Sequence, residues 1–335
     1  MKVLLYKGKI DVDKSGVGKA VKHQEEALTL AGVPYTLNEK DDFDIIHINT
    51  IFPSSLIVLE KAKKEGKKVV IHAHTTEEDI KNSFLFSNMA APALKKWLKL
   101  LYSKADILLT PTPYSKKLLQ SYGIDKEIIP ITNGINLNFW KKDNAAGERF
   151  RQKYGFTKED KVIMSVGLLI ERKGILEFLE LARRMPEYKF IWFGYDQPAL
   201  RTPKVTEAIK EKTDNVLFPG YINSSLLMEA YNGCDVYIFP TKEETEGIVL
   251  LEALATKTKT IISDIPIYDG WLMDGVNVYK AKNVDEFEEK IKGIINYKLP
   301  DLTNSGYKIA YDRSIEKVGL KLKKIYEKLL ETSKN

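Results

Sequence analysis

The sequence predicts an α/β protein made of two parallel-sheet domains in series. Short β-branched runs alternate with helical patterns along the whole chain, the succession expected of strand–helix–strand units. The alternation breaks once, over the polar, charged stretch 137–160 that contains KKDNAAGERF, which marks a seam. A length of 335 residues also suits two cores of about 150 residues better than one.

In the first half, strands are expected over 3–6, 45–48, 68–73, 107–110 and 128–131, with helices over 20–31, 54–64, 94–102 and 115–121. Each strand is a short apolar run between polar or glycine residues. A run that does not alternate fits a strand covered on both faces, hence a buried parallel sheet. The second half repeats the scheme. Its strands are 162–166, 189–193, 216–218, 236–239 and 260–262, and its helices 175–184, 224–231, 249–255 and 284–297. The stretch 311–335 reads as a final helix, with Ile315, Val318, Leu322, Ile325 and Leu329 at helical spacing.

Hydrophobic residues at 44% and charged residues at 29% allow a sizeable core within an ordinary soluble balance. The single cysteine, Cys234, excludes an intramolecular disulfide and points to a reducing compartment. The apolar start MKVLLYKGKI is too short for a signal peptide, and Asp11 and Asp13 follow at once. No run reaches the ~18 apolar residues of a membrane span. The net charge of +6 is uneven, since 81–117 holds seven lysines and one acid, Asp106. Such a patch suits an anionic surface: membrane, nucleic acid or a phosphorylated substrate.

The richest segment is TKEETEGIVLLEALAT, 241–256. A helix beginning near Gly247 leaves the N–H groups at Gly247, Ile248 and Val249 without internal partners, and its dipole favours an anion there. A diphosphate fits, and glycine allows it to approach closely. Glu252 falls in the second turn, where its carboxylate suits a ribose diol. Glu244 lies in the preceding loop, placed to meet a sugar. Arg172 and Lys173, after the strand ending at Val166-Gly167, supply adjacent cations for a departing diphosphate. Tyr221 and Ile222 follow another strand, where backbone groups suit a base. All these positions follow strands, where parallel sheets bind ligands.

In the first half, Ser15-Gly16-Val17-Gly18 joins a strand to a helix, a weak loop signal centred on Gly16 and Gly18. His72 and His74 close a strand and are expected on opposite faces. His72 and His47 read as structural, and His23 as a helix-surface residue. The histidine spacing suggests no metal site. On a helix over 94–102, Leu94, Trp97, Leu98 and Leu101 share one face, opposite Lys95, Lys96 and Lys99. Phe84, Leu85, Phe86 and Met89 precede it in an expected loop. A basic amphipathic helix with a tryptophan suits a membrane interface; a sheet-covering helix with a wet lysine face suits it as well.

SVGLLIERKG, PGYI, YIFPTKEETEGIVLLEALA and TNGINLNFW, spread over nearly the whole length, resemble glycosyltransferase family 4. The resemblance implies the GT-B fold: two Rossmann-like domains, 1–140 and 141–310, facing each other across a cleft, with 311–335 returning to the first. It implies retaining hexosyl transfer from a nucleotide sugar, with closure of the domains over the donor. Arg172 and Lys173 would contact the diphosphate, Glu252 the ribose, and Glu244 and His74 the hexose. Gly16 and Gly18 would approach donor phosphate and acceptor, and Asn133-Gly134 the cleft floor. No cofactor and no essential metal are expected. The sequence departs from the family at Glu246, usually phenylalanine, and Leu168, usually arginine. HAHTTEED, the basic stretch after it and YSKADILLTPTPYSKKLL resemble the branch that glycosylates diacylglycerol. EETEGIVLLEALA and the compact length resemble the step that extends monoglucosyl-diacylglycerol. The implied donor is UDP-glucose or UDP-galactose, the partner an anionic membrane, and the location the inner face of the cell membrane. Two rivals remain: transfer to a soluble or polysaccharide acceptor, and non-catalytic nucleotide-sugar binding. A nucleic-acid role is not expected.

Overall fold

A computed structural model of the chain describes residues 1–8, 16–81, 87–195, 198 and 201–331. Asp11, Asp13, Ser15, Phe84, Leu85 and Phe86 lie outside the described residues. The chain forms two compact units. The first comprises Met1–Asp79, Met89–Asn136 and the segment from Arg313; the second comprises Leu137–Asp312 with the short segment Ile80–Asn88.

The first unit contains β1 (Val3–Tyr6), α1 (Gly16–Leu30), β2 (Tyr35–Thr36), β3 (Ile45–Ile48), α2 (Pro53–Lys64), β4 (Lys68–His72), α3 (Glu77–Ile80), α4 (Ser87–Tyr102), β5 (Ile107–Thr110), α5 (Pro113–Ser121) and β6 (Ile128–Pro130). The second contains α6 (Asn144–Tyr154), β7 (Val162–Val166), α7 (Ile175–Arg184), β8 (Lys189–Phe193), α8 (Pro203–Lys210), β9 (Val216–Gly220), α9 (Ser224–Gly233), β10 (Val236–Phe239), α10 (Ile248–Ala255), β11 (Thr260–Ser263), β12 (Tyr279–Ala281), α11 (Val284–Ile295) and α12 (Thr303–Tyr311). The final helix, α13 (Ile315–Glu331), completes the first unit.

Each unit holds one six-stranded sheet, ordered β2-β1-β3-β4-β5-β6 and β12-β11-β10-β7-β8-β9, and the described pairings are all parallel. Central strands such as VLLY and VIMSV are buried along their full length, which is why they do not alternate. Every predicted strand is present. The two short edge strands β2 and β12 were not predicted, because two or three paired residues leave no apolar run to read.

The seam also differs from expectation. The stretch 137–160 contains α6, capped by the Asp143 carboxylate on the Ala146 N–H (3.1 Å) and ended by Gly155 at φ +70°. Both end signals stand in the sequence; the weak apolar content between them concealed the helix. Ala146 and Phe150 are buried beside α9, and a Cβ at Gly147 would lie 2.5 Å from the Asn232 carbonyl oxygen.

Helix α4 covers the first sheet with its apolar stripe. Leu98 and Leu101 are fully buried, Leu94 and Trp97 pack against the same core, and the Trp97 indole donates to the Ile51 carbonyl at 2.6 Å. Burying each leucine contributes about 2 kcal/mol. Trp97 is therefore a core residue. Lys95 also turns inward, pairing with Glu77 at 3.1 Å over the Tyr122 ring. Lys96, Lys99, Met89 and Leu100 remain exposed.

Helix α13 lies along α1, burying Ile315, Val318, Leu322, Tyr326 and Leu329. The approach is close: a Cβ at Gly319 would stand 2.1 Å from the Ala27 carbonyl oxygen. Gly319→Ala should therefore push the two helices apart and cost about 1–3 kcal/mol. Chemical denaturation should show this as a lowered midpoint, whereas alanine at exposed Leu320 should leave it almost unchanged.

Candidate active site

In the second unit, loops after several strands meet at the carboxyl edge of the sheet. Glycines set their spacing. A Cβ at Gly194, after β8, would lie 1.8 Å from the Gly167 carbonyl oxygen, after β7. A Cβ at Gly174 would lie 2.1 Å from the Pro240 carbonyl oxygen, after β10, and Gly174 adopts φ +82°. No other residue type fits either place without moving backbone.

The second of these contacts joins the short 3-10 turn Glu171–Lys173 to the loop 241–247. The Lys242 N–H donates to the Arg172 carbonyl at 2.8 Å. The buried Thr241 hydroxyl lies 3.2 Å from that same oxygen and 3.1 Å from the Glu243 carbonyl. The Arg172 guanidinium donates to the Glu243 carbonyl at 2.7 Å. Lys173 forms an ion pair with the buried Glu244 carboxylate and faces the Phe239 ring. Three of the sequence candidates, Arg172, Lys173 and Glu244, are thus brought together. Thr241 and Gly174, which hold the two loops in register, were not singled out from sequence. Their signal was faint: a threonine after a strand and a glycine before a helix.

Gly247 begins α10 at φ +87°, with Phe239 just 3.0 Å from the site of a Cβ. The N–H groups of Ile248 and Val249 have no acceptor among the described residues. The helix therefore starts with open donors, and no side chain caps it. Glu252, one turn further, is fully buried, and its carboxylate lies 3.3 Å from the Tyr231 hydroxyl. That hydroxyl also lies 2.8 Å from the Val249 carbonyl, and burial holds the Tyr231 phenol well above its usual range. Glu246, next to Gly247, is buried as well. Tyr221 and Ile222 follow β9, with Tyr221 exposed.

In the first unit, Gly16 opens α1 on the surface and Gly18 is buried. His72 and His74 are not on opposite faces. Their rings stack at 4.1 Å, because residues two apart share a side in extended chain. His47 stacks on the other side of His72 at 5.6 Å and bonds the Tyr326 hydroxyl at 2.6 Å. Burial lowers all three: His74 to about 3, His47 to about 3, and His72 well below 6.5, with His74 and His47 adding repulsion for His72. His23 is buried within α1, not on its surface; its i+4 partner, Ala27, lies in the same core-facing stripe.

No group of three or more metal-ligating side chains exists among the described residues. An apolar cavity of about 250 Å³, lined by Leu254, Val278, Ile294 and Leu299, lies beside the starts of β11 and β12, at the other edge of the sheet from Lys173.

Two sequence families match the chain, "Glycosyltransferase Family 4" over residues 20–139 and "Glycosyl transferases group 1" over 147–310. A processive diacylglycerol alpha-glucosyltransferase of Acholeplasma laidlawii is 40% identical over 99% of both chains. An alpha-monoglucosyldiacylglycerol synthase of the same organism is 28% identical, over 76% of this chain and 66% of that one. Among solved structures, a sucrose-phosphate synthase from Thermosynechococcus elongatus superposes with a TM-score of 0.83 at 16% identity, covering 99% of this chain and 100% of that one. HepE of Anabaena, solved with UDP-glucose, gives 0.78 at 15% identity over 98% and 100%.

The neutral histidine column generates a prediction. Unfolded histidine takes up a proton near pH 6.5, whereas these three stay neutral in the folded state, so stability is full above that pH and falls as pH drops toward 3. Each contributes about 1.4 kcal/mol per pH unit. Denaturation of the His72→Gln protein between pH 6 and 4 should show a slope shallower by about that amount.

Proposed function

The chain belongs to glycosyltransferase family 4 and has its GT-B fold, and from that premise we propose that it moves an α-hexosyl group from a UDP-sugar to glucosyl-diacylglycerol, with retention. The observation that carries the reading is the cluster of Arg172, Lys173 and Glu244 beside the open N-terminus of α10. It occurs in a chain that matches a diacylglycerol alpha-glucosyltransferase along its full length. That relative is described as processive, which suits an acceptor that already carries a glucose. UDP-glucose in the HepE structure supports that donor class, with UDP-galactose as the alternative.

In this reading the residues take the following roles. The Ile248 and Val249 N–H groups and the two cations receive the diphosphate. Glu252 accepts hydrogen bonds from the ribose diol, and Tyr221 and Ile222 meet the base. His74 contacts the hexose. Glu244 Oε1 is already held by Lys173 and by the Thr241 hydroxyl at 3.4 Å, which suits a carboxylate that orients the sugar and its cation. The anomeric carbon–phosphate oxygen bond breaks as the acceptor oxygen bonds the same face, and the acceptor proton passes to the leaving phosphate. This route calls on no metal.

Purified protein incubated with radiolabelled UDP-glucose or UDP-galactose and a lipid extract should yield labelled diglycosyl-diacylglycerol, with EDTA making no difference. Lys173→Met and Glu252→Gln should each weaken UDP binding by about tenfold or more, or ~1.4 kcal/mol. Labelling of a water-soluble acceptor alone would favour the first rival; UDP binding with no transfer would favour the second.

We also propose that the protein reaches its acceptor as a peripheral protein of the inner leaflet, through the exposed Lys96, Lys99, Met89 and Leu100. No helix is long and apolar enough to cross a membrane among the described residues. Each surface lysine adds about 1 kcal/mol near anionic lipid. Sedimentation with anionic vesicles should fall by about tenfold or more in the Lys96→Glu/Lys99→Glu protein, whereas Trp97→Phe, a core change, should not alter it.

A further inference from the structure

Three buried polar side chains, Gln24, Asn49 and His72, surround the base of His74 in the first unit. The Gln24 amide nitrogen lies 2.8 Å from Asn49 Oδ1 and 3.0 Å from His72 Nδ1. Asn49 Oδ1 also lies 2.9 Å from His74 Nε2. Gln24, Asn49 and His72 are almost completely buried, so water does not substitute for these partners.

The hydrogen positions follow from donor and acceptor rules. An amide nitrogen has no lone pair to offer, so Gln24 donates to both neighbours, and His72 Nδ1 must accept. Asn49 Oδ1 is an acceptor only, so His74 must carry its proton on Nε2. The orientation of Asn49 is set by its own Nδ2, which faces the His47 carbonyl at 3.5 Å. Turning the Gln24 amide over would bring two oxygens together at the 2.8 Å contact. The present orientation leaves both Gln24 Oε1 and the His72 Nε2–H without a hydrogen-bond partner among the described residues, a cost the fold accepts. His74 Nδ1 has no hydrogen bond among the described residues, and the ring is only half-buried.

We propose that Gln24 and Asn49 are positioning residues that hold His74 as the Nε2–H tautomer, so that Nδ1 accepts a hydrogen bond from a hydroxyl of the transferred hexose. The sugar half of this statement rests on the function proposed above; the tautomer half does not. A ring free to exchange tautomers would spend part of its time presenting N–H, and the hydroxyl would then have to turn and accept through its oxygen. The amide pair removes that state. It also makes the first unit a reader of a hydroxyl hydrogen.

Long-range ¹⁵N–¹H correlation spectra of the full-length protein test the first half. His74 should show a protonated Nε2 and a bare Nδ1, and His72 the same. Asn49→Leu and Gln24→Leu should turn His74 into a mixture, whereas Asn49→Asp, which keeps the acceptor, should preserve the single form. A protonated Nδ1 on wild-type His74, or an unchanged tautomer in Asn49→Leu, overturns the proposal. Calorimetry tests the second half. Asn49→Leu should lose about tenfold in UDP-glucose affinity while UDP affinity stays the same. Equal affinity for UDP-glucose in Asn49→Leu and wild type overturns the hydroxyl contact. A wild-type protein that binds neither ligand defeats the functional reading and leaves the tautomer result standing by itself.

Discussion

The described strand pairings of both sheets are all parallel, and that common polarity is the constraint on which the rest depends. A parallel sheet returns the chain to the same end after every helix, so loops that follow strands collect along one edge. In the second unit this brings the turn after β7 against the loop after β10, and only glycine at 174 permits the contact with Pro240. Two chain segments some seventy positions apart thereby share a carbonyl, a hydroxyl and an ion pair. In the first unit the same polarity places His74 just beyond the end of β4.

The charges at that edge are mutually dependent. Glu244 is buried and would be costly to leave unpaired, and Lys173 is the cation that compensates it. A diphosphate approaching Lys173 meets an ammonium already shared with a carboxylate, so the cation is held in place before any ligand arrives. The arrangement exchanges some attraction for orientation. Thr241 adds to this, its hydroxyl lying within hydrogen-bond distance of the Arg172 and Glu243 carbonyls. Glu246 puts a second buried carboxylate in the same loop.

Much of the fold was legible because a strand buried on both faces, such as β1, β3, β5, β7 or β10, announces itself as an uninterrupted apolar run. Elements held by tertiary contacts were not. The strands β2 and β12 exist because a neighbour offers backbone partners, and α6 because its caps and α9 support a polar stretch. Within the site, residue types and spacing pointed to Arg172, Lys173, Glu244 and Glu252, and the structure brings the first three together. Which of them touch was not legible, since that depends on glycines whose importance lies in what a Cβ would strike. Trp97 shows the opposite limit. An amphipathic stripe says that one face is apolar, and says nothing about whether a sheet or a bilayer covers it; here the stripe faces the sheet. The error over His72 and His74 came from counting the strand period wrongly, and the stacked rings correct it.

Helix α13 completes the first unit although the whole second unit separates it in sequence from the other elements. It supplies Tyr326 to His47 and seals the apolar faces of β1 and α1 through Leu322 and Val318. During synthesis, therefore, the amino-terminal sheet leaves the ribosome with one flank bare and must wait while Leu137–Asp312 is translated. The second unit has all of its segments save 80–88 in one stretch and is able to mature first. A nascent chain would therefore carry an apolar surface until α13 is made, an interval in which holdase chaperones could bind it.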